Sequence, residues 1–111
     1  MASGDVFPKL LDAPTFLGTS TTTLFTVPSG RQHAIKQIVV CNTDGTERWI
    51  KLAVGSTATA ENCFVFQLPI ASFDTVVLDT ALVLEAGQTL QGSSDAASKV
   101  TVTVTGWERE I

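Results

Sequence analysis

One histidine, His33, and two cysteines, Cys41 and Cys63, are the side chains best suited to acid–base or nucleophilic work in this chain of 111 residues. A Ser-His-Asp arrangement would need His33 beside a nucleophile, with a carboxylate behind it. Its stretch follows the turn Pro28-Ser29-Gly30 and keeps the polar neighbours Gln32 and Lys36, which reads as an edge or surface histidine. Soft-metal chemistry is equally poorly served. The cysteines stand 22 positions apart and lack the close ligand pairs of zinc motifs. Asp44 and Glu47 share one turn and could in principle meet a calcium ion, but Thr43-Asp44-Gly45-Thr46 is fully explained as a hairpin turn. Asp74 and Asp79 bracket a strand, and their odd spacing sends them to opposite faces. The eight glycines are dispersed one per turn with no helix after any of them, so no phosphate cradle forms. The expectation is a chain without catalytic, cofactor-binding or metal-ligating residues, and not an enzyme.

The informative side chains are instead Trp49 and Trp107. A large amphipathic ring on a sheet exterior is a contact platform for protein or for the apolar face of a sugar. Alternation puts Trp49 with Lys51, opposite Ile50 and Leu52, and puts Trp107 at the outward parity of Thr101, Thr103 and Thr105. A bulge at Gly106 would turn Trp107 inward.

Strands must position these rings, because strand signals are dense and helix signals nearly absent. Sixteen threonines and twelve valines favour a pleated backbone. Val100 to Thr105 alternates strictly, with its valines facing the core. Thr22 to Val27 reads as a strand ended by Pro28-Ser29-Gly30, where proline presets φ and glycine permits φ > 0. His33–Asn42 and Glu47–Val54, joined by Asp44-Gly45, read as a hairpin. Residues 55–62 read as a loop. Cys63–Leu68 reads as a strand with Phe64, Phe66 and Leu68 on one face. The pieces Asp74–Asp79 and Ala81–Leu84, the turn Glu85-Ala86-Gly87 and a short strand Gln88–Gly92 complete the series. Eight or so short antiparallel strands with frequent turns predict an all-β sandwich of jelly-roll type.

Residues 1–16 break the pattern with Pro8 and Pro14 and isolated apolar groups at Val6, Phe7, Leu10 and Leu11. They read as an N-terminal arm ahead of a sandwich domain at 17–111, wrapping that sandwich or lying across a neighbouring subunit. Composition limits the partners. Seven Lys and Arg against eleven Asp and Glu give a net charge of −4, with no basic stripe for nucleic acid. No apolar run approaches the ~20 residues of a membrane span. The opening Met1-Ala2-Ser3-Gly4-Asp5 lacks a secretory pattern, so synthesis in a cytoplasm with free thiols is expected. Charged residues make up only 16% of the chain, which fits a surface that meets neighbours, including copies of itself.

The run Thr22-Thr23-Leu24-Phe25-Thr26-Val27-Pro28-Ser29-Gly30-Arg31, followed by Ile38-Val39-Val40-Cys41-Asn42-Thr43-Asp44-Gly45, resembles small β-sandwich virion proteins of tailed bacteriophages. Leu82 to Leu90 and the closing Val100-to-Gly106 strand extend that resemblance over about residues 20 to 106. It implies a virion location, as a capsid decoration or cement subunit bound to the major capsid protein. The tail tip, baseplate or fibres are an alternative setting, with tail proteins as partners. A carbohydrate-binding module for host recognition is the other alternative. The residues expected at an interface are Phe7, Leu10, Leu11, Trp49 and Trp107.

Overall fold

The structure, a computed structural model, describes residues 6–55 and 63–110, with backbone alone for residues 6–8 and 13. Eight strands run through the described residues: β1 (Val6–Phe16), β2 (Thr22–Thr26), β3 (Arg31–Asn42), β4 (Arg48–Val54), β5 (Cys63–Ile70), β6 (Thr75–Leu84), β7 (Thr89–Ser94) and β8 (Val100–Glu110). They pair as a nested set, β1 with β8, β2 with β7, β3 with β6 and β4 with β5, all antiparallel. Rolling that ribbon brings β3 against β8 and β4 against β7. The result is two four-stranded sheets ordered β1-β8-β3-β6 and β2-β7-β4-β5, the strand order of a jelly roll.

The predicted turns explain much of this. Gly30 and Gly87 adopt φ of 76° and 86°, and Arg31 and Gln88 donate their amides back to Pro28 and Glu85. β8 follows the strict alternation, with Val100, Val102 and Val104 buried and its threonines half-exposed. With Ile35, Ile38, Val40, Ile50, Leu52 and Leu90 these valines form one core between the sheets.

Four sequence expectations are corrected. Strands β3 and β4 do not form a hairpin; they lie in different sheets. A type I′ turn needs φ > 0 at both central residues, and neither Asp44 nor Gly45 has it. The chain instead turns a corner held by Asn42, which is fully buried. Its Nδ2 lies 2.9 Å from the Thr46 carbonyl and 3.1 and 3.3 Å from those of Ile70 and Ala71, while its Oδ1 accepts the Asp44 amide. Asn42→Ala leaves buried carbonyls without donors. It is expected to cost about 2–4 kcal/mol, read as a lowered urea midpoint with an unchanged m-value.

Secondly, residues 6–16 are not an arm set apart from the sandwich: they form β1, hydrogen-bonded along β8 from Val6↔Arg109 to Phe16↔Thr101. Register shifts between Leu10 and Asp12 and between Asp12 and Thr15 hide the period of two from the sequence. Residues 1–5 of the expected arm lie outside the described residues. Thirdly, Phe66 does not join Phe64 and Leu68 on the inner face; it is 50% exposed. Two residues of β5, Phe66 and Gln67, sit against one of β4, and Gln67 has φ of 50°, which turns Phe66 out. Lastly, His33 is not at the surface; it is 4% exposed.

Candidate functional site

Register determines what the β1-β8-β3-β6 sheet shows to the outside. Residues directly opposite in an antiparallel pair share a face. One row crosses Pro8, Trp107, Ala34 and Val83, and the next crosses Leu10, Thr105, Gln37 and Asp79. A third holds Thr103, Val39 and Val77, and a fourth Phe16, Thr101, Cys41 and Thr75. Seven large apolar side chains are exposed among the described residues, and five of them, Leu10, Phe16, Val77, Val83 and Trp107, lie on this face. Exposed apolar residues scattered singly need no explanation, but a concentration on one face marks a contact surface.

Trp107 stands in the first of these rows at 39% exposure, and no bulge in β8 turns it inward. Shallow depressions open on either side of it. One of about 370 Å³ is lined by Gln32, Ala34 and Arg109, another of about 430 Å³ by Lys9, Leu10, Lys36 and Thr105. The alternation of β8 points the ring outward, and Gly106 beside it packs directly onto the β3 backbone at the shift between Ile35 and Gln37. The extra residue there, Lys36, is exposed on the same face.

The five expected interface residues separate. Leu10 and Trp107 occur together on the exposed face. Leu11 is withdrawn as a contact residue: it is 8% exposed and belongs to the core, because it follows Leu10 on a strand and points the other way. Trp49 is half-buried on the other sheet, and the Lys51 ammonium sits 5.1 Å from its ring and 4.8 Å from that of Phe66. Phe7 lies in β1 opposite Glu108; its side chain is outside the described residues. Sequence reasoning missed Phe16, Val77 and Val83. The signal for Val77 and Val83 was present in the alternation of Thr75 to Leu84, whose odd-numbered positions share a face.

Behind the face, at the inner end of β8, lies a buried charge cluster. Glu108 is 5% exposed; its Oε2 accepts from Lys9 Nζ at 2.9 Å and His33 Nε2 at 2.8 Å, and Arg31 Nε lies 3.6 Å from Oε1. A carboxylate only accepts, so His33 donates through Nε2, while its buried Nδ1 has no hydrogen-bond partner among the described residues. Burial pushes the Glu108 carboxyl up, and the Lys9 and His33 bonds and charges more than offset this, leaving it below the ordinary value. The cluster ties β1, β3 and β8 together. Among the described residues, no three His, Cys, Asp or Glu side chains gather as metal ligands, and Cys41 and Cys63 are unpaired and half-buried.

No protein-family model and no curated protein matches the chain. Among solved structures it is similar to a chain in the structure of infectious bursal disease virus, Gt strain, at 10% identity and a TM-score of 0.47, over 95% of this chain and 32% of that one. It is similar to a protein of Bacillus endospore appendages, described as a family of disulfide-linked pili, at 8% identity and a TM-score of 0.47, over 99% and 92% of the two chains. It is also similar to a pentameric capsid protein isolated from metagenomic phage sequences, at 21% identity and a TM-score of 0.41, over 91% and 61%. The chain spans about a third of the length of the first of these. The assignment of a jelly roll rests on strand order and register, independently of these likenesses.

Proposed function

We propose that the chain is a structural, non-catalytic component of a tailed-phage virion. Within the virion, we read it as a capsid decoration or cement subunit that docks on neighbouring viral proteins through the outer face of the β1-β8-β3-β6 sheet. The observation that carries this reading is the gathering of five exposed apolar side chains, Trp107 among them, on one face of a chain with few charges. The virion setting is supported by the resemblance of residues 20 to 106 to small phage virion proteins. Aromatic anchors at the centre of a docking face carry a large share of binding energy. Trp107→Ala is therefore expected to weaken binding to isolated capsids by about 30-fold, the equivalent of ~2 kcal/mol, with the circular-dichroism spectrum unchanged. Binding to isolated tails in place of capsids would move the subunit to the tail tip or baseplate. Unaltered capsid binding by Trp107→Ala would remove the face from the reading.

A second reading has one observation in its favour: Trp107 is flanked by Gln32 and Arg109 around a depression of about 370 Å³, a size and composition suited to a sugar stacked on the ring. A shift of tryptophan fluorescence on titration with saccharide, lost in Trp107→Ala, is the result that would favour it.

A further inference from the structure

The sheet margins are β1, β6, β2 and β5, and three of them carry features that discourage pairing with another chain. Strand β1 holds Pro8, Pro14 and two register shifts. Strand β2 is five residues long and has a shift of its own. Strand β5 holds Pro69, two shifts and the positive φ of Gln67. Prolines, bulges and shortness are how natural sheets blunt an edge.

Strand β6 is neither short nor broken by proline, and its one register shift sets Thr80 and Ala81 against Lys36 of β3. It runs ten residues, Thr75 to Leu84, without proline or glycine and with one charge, Asp79. Its alternation is unbroken: Val77, Asp79, Ala81 and Val83 are exposed, and Val76, Leu78, Thr80 and Leu82 are half-buried. The register shift against β3 between Ile35 and Gln37 leaves that alternation intact, and the Thr80 hydroxyl donates to the Ile35 carbonyl there. Val76, Leu78 and Leu82 pack against the core yet stay only partly buried, because β6 is the last strand of its sheet among the described residues.

The sequence of β6 reads alike in both directions from Thr80. Leu82 answers Leu78, Val83 answers Val77 and Leu84 answers Val76, while Ala81 answers Asp79. We propose that β6 pairs antiparallel with β6 of a second copy of this chain about a two-fold axis at Thr80, making one continuous sheet of two four-stranded halves. In this register every valine and leucine of β6 meets a valine or leucine, and Asp79 faces the partner's Ala81, so the two like charges do not stand directly opposite each other. A self-complementary patch is what a two-fold interface requires. The axis stands perpendicular to the sheet, so both Trp107 faces are presented on the same side. The pairing does not rest on the virion reading, since it concerns the free chain alone.

The test is sedimentation equilibrium of the full chain and three variants. The unaltered chain is expected to dimerise. Ala81→Lys sets Lys against Asp79 twice across the axis and tightens the dimer about five-fold; Ala81→Asp sets Asp against Asp79 twice and weakens it by a similar factor. The double variant Asp79→Lys with Ala81→Asp restores the dimer. Residue 81 is exposed, so circular dichroism is expected to show an unchanged fold in each. An unaltered chain that stays monomeric at about 100 μM, or charges of opposite sign at residue 81 that move the equilibrium the same way or not at all, would overturn the pairing. No capsid is present in this experiment, so its failure is distinct from failure of the docking reading.

Discussion

Gly106→Ala is expected to destabilise the chain by about 3–5 kcal/mol, a large share of the ~5–15 kcal/mol typical of a domain. A Cβ built on Gly106 would stand 2.0 Å from the Ala34 carbonyl oxygen and 3.0 Å from both the Ala34 carbonyl carbon and the Lys36 nitrogen. These are backbone atoms of the adjacent strand and cannot rotate away as a side-chain tip would. Relief requires β3 and β8 to part where Ile35 pairs with Gly106, in the middle of the sheet that carries the exposed face. The glycine is there because β3 inserts Lys36 between two rungs of its ladder with β8, and the kinked backbone leans onto its neighbour. Gly18→Ala is the control: its nearest atom would be the Ser20 carbonyl oxygen at 4.0 Å, an ordinary contact. Urea titration of the two variants separates them. A Gly106→Ala chain as stable as the unaltered one would mean that β3 does not bulge here.

The second large effect is at Glu108. Truncating one partner of a buried ionic cluster leaves the others uncompensated, and Glu108→Ala is expected to cost about 2–4 kcal/mol. The loss falls unevenly. Lys9 on β1 is 43% exposed and regains water, while His33 is 5% exposed and loses the acceptor of its Nε2 proton. Edge strand β1 is then held by its ladder and by Leu11 in the core, so hydrogen exchange there is expected to speed up before the rest of the sheet responds. The same site sets an acid limb. Burial raises the Glu108 carboxyl, but Lys9 and His33 lower it further, so its folded value lies below its unfolded value near 4.5. A carboxyl lowered on folding stabilises fully above the unfolded value, and the contribution disappears as pH falls through the folded value. Unfolding free energy is therefore expected to fall more steeply below about pH 4.5 in the unaltered chain than in Glu108→Gln. Equal acid slopes would mean that the cluster is not formed in solution.

The parts of the fold legible in the sequence were those set by local chemistry. Val100 to Thr105 declared its faces by alternation, Gly30 and Gly87 declared their turns, and strand count and class followed. The β3–β4 connection was misread because Asp44-Gly45 is a local hairpin signal, whereas the corner is held by Asn42 reaching the carbonyls of Ile70 and Ala71. Nothing near Asn42 in the chain announces partners so far away. β1 was misread because its register shifts scatter Leu10, Leu11 and Phe16 out of phase. The buried cluster left a trace that was overlooked: Glu108 continues the inward parity of Val100, Val102 and Val104, and His33 shares that of Ile35. A charged residue in a core phase needs a partner, and the two lie opposite each other in the ladder. Their meeting depends on register across 75 positions. The outward phase of Trp107 was legible because it needs only local alternation, whereas Leu10 was read only as an isolated apolar group of the arm.

Nested pairing also orders events in time. The first strand can pair only with the last, Lys9 with Gly106 and Val6 with Arg109, and β3 needs β8 on its other side. At a synthesis rate of ~5–20 residues per second, β1 waits several seconds on the ribosome for its partner to be made. During that interval β4 can pair with β5, then β3 with β6, and then β7 with β2 and β4. The nascent chain thus spends its longest exposed period with the apolar strand β6 already made and β8, which joins β1 to the rest of that sheet, unfinished.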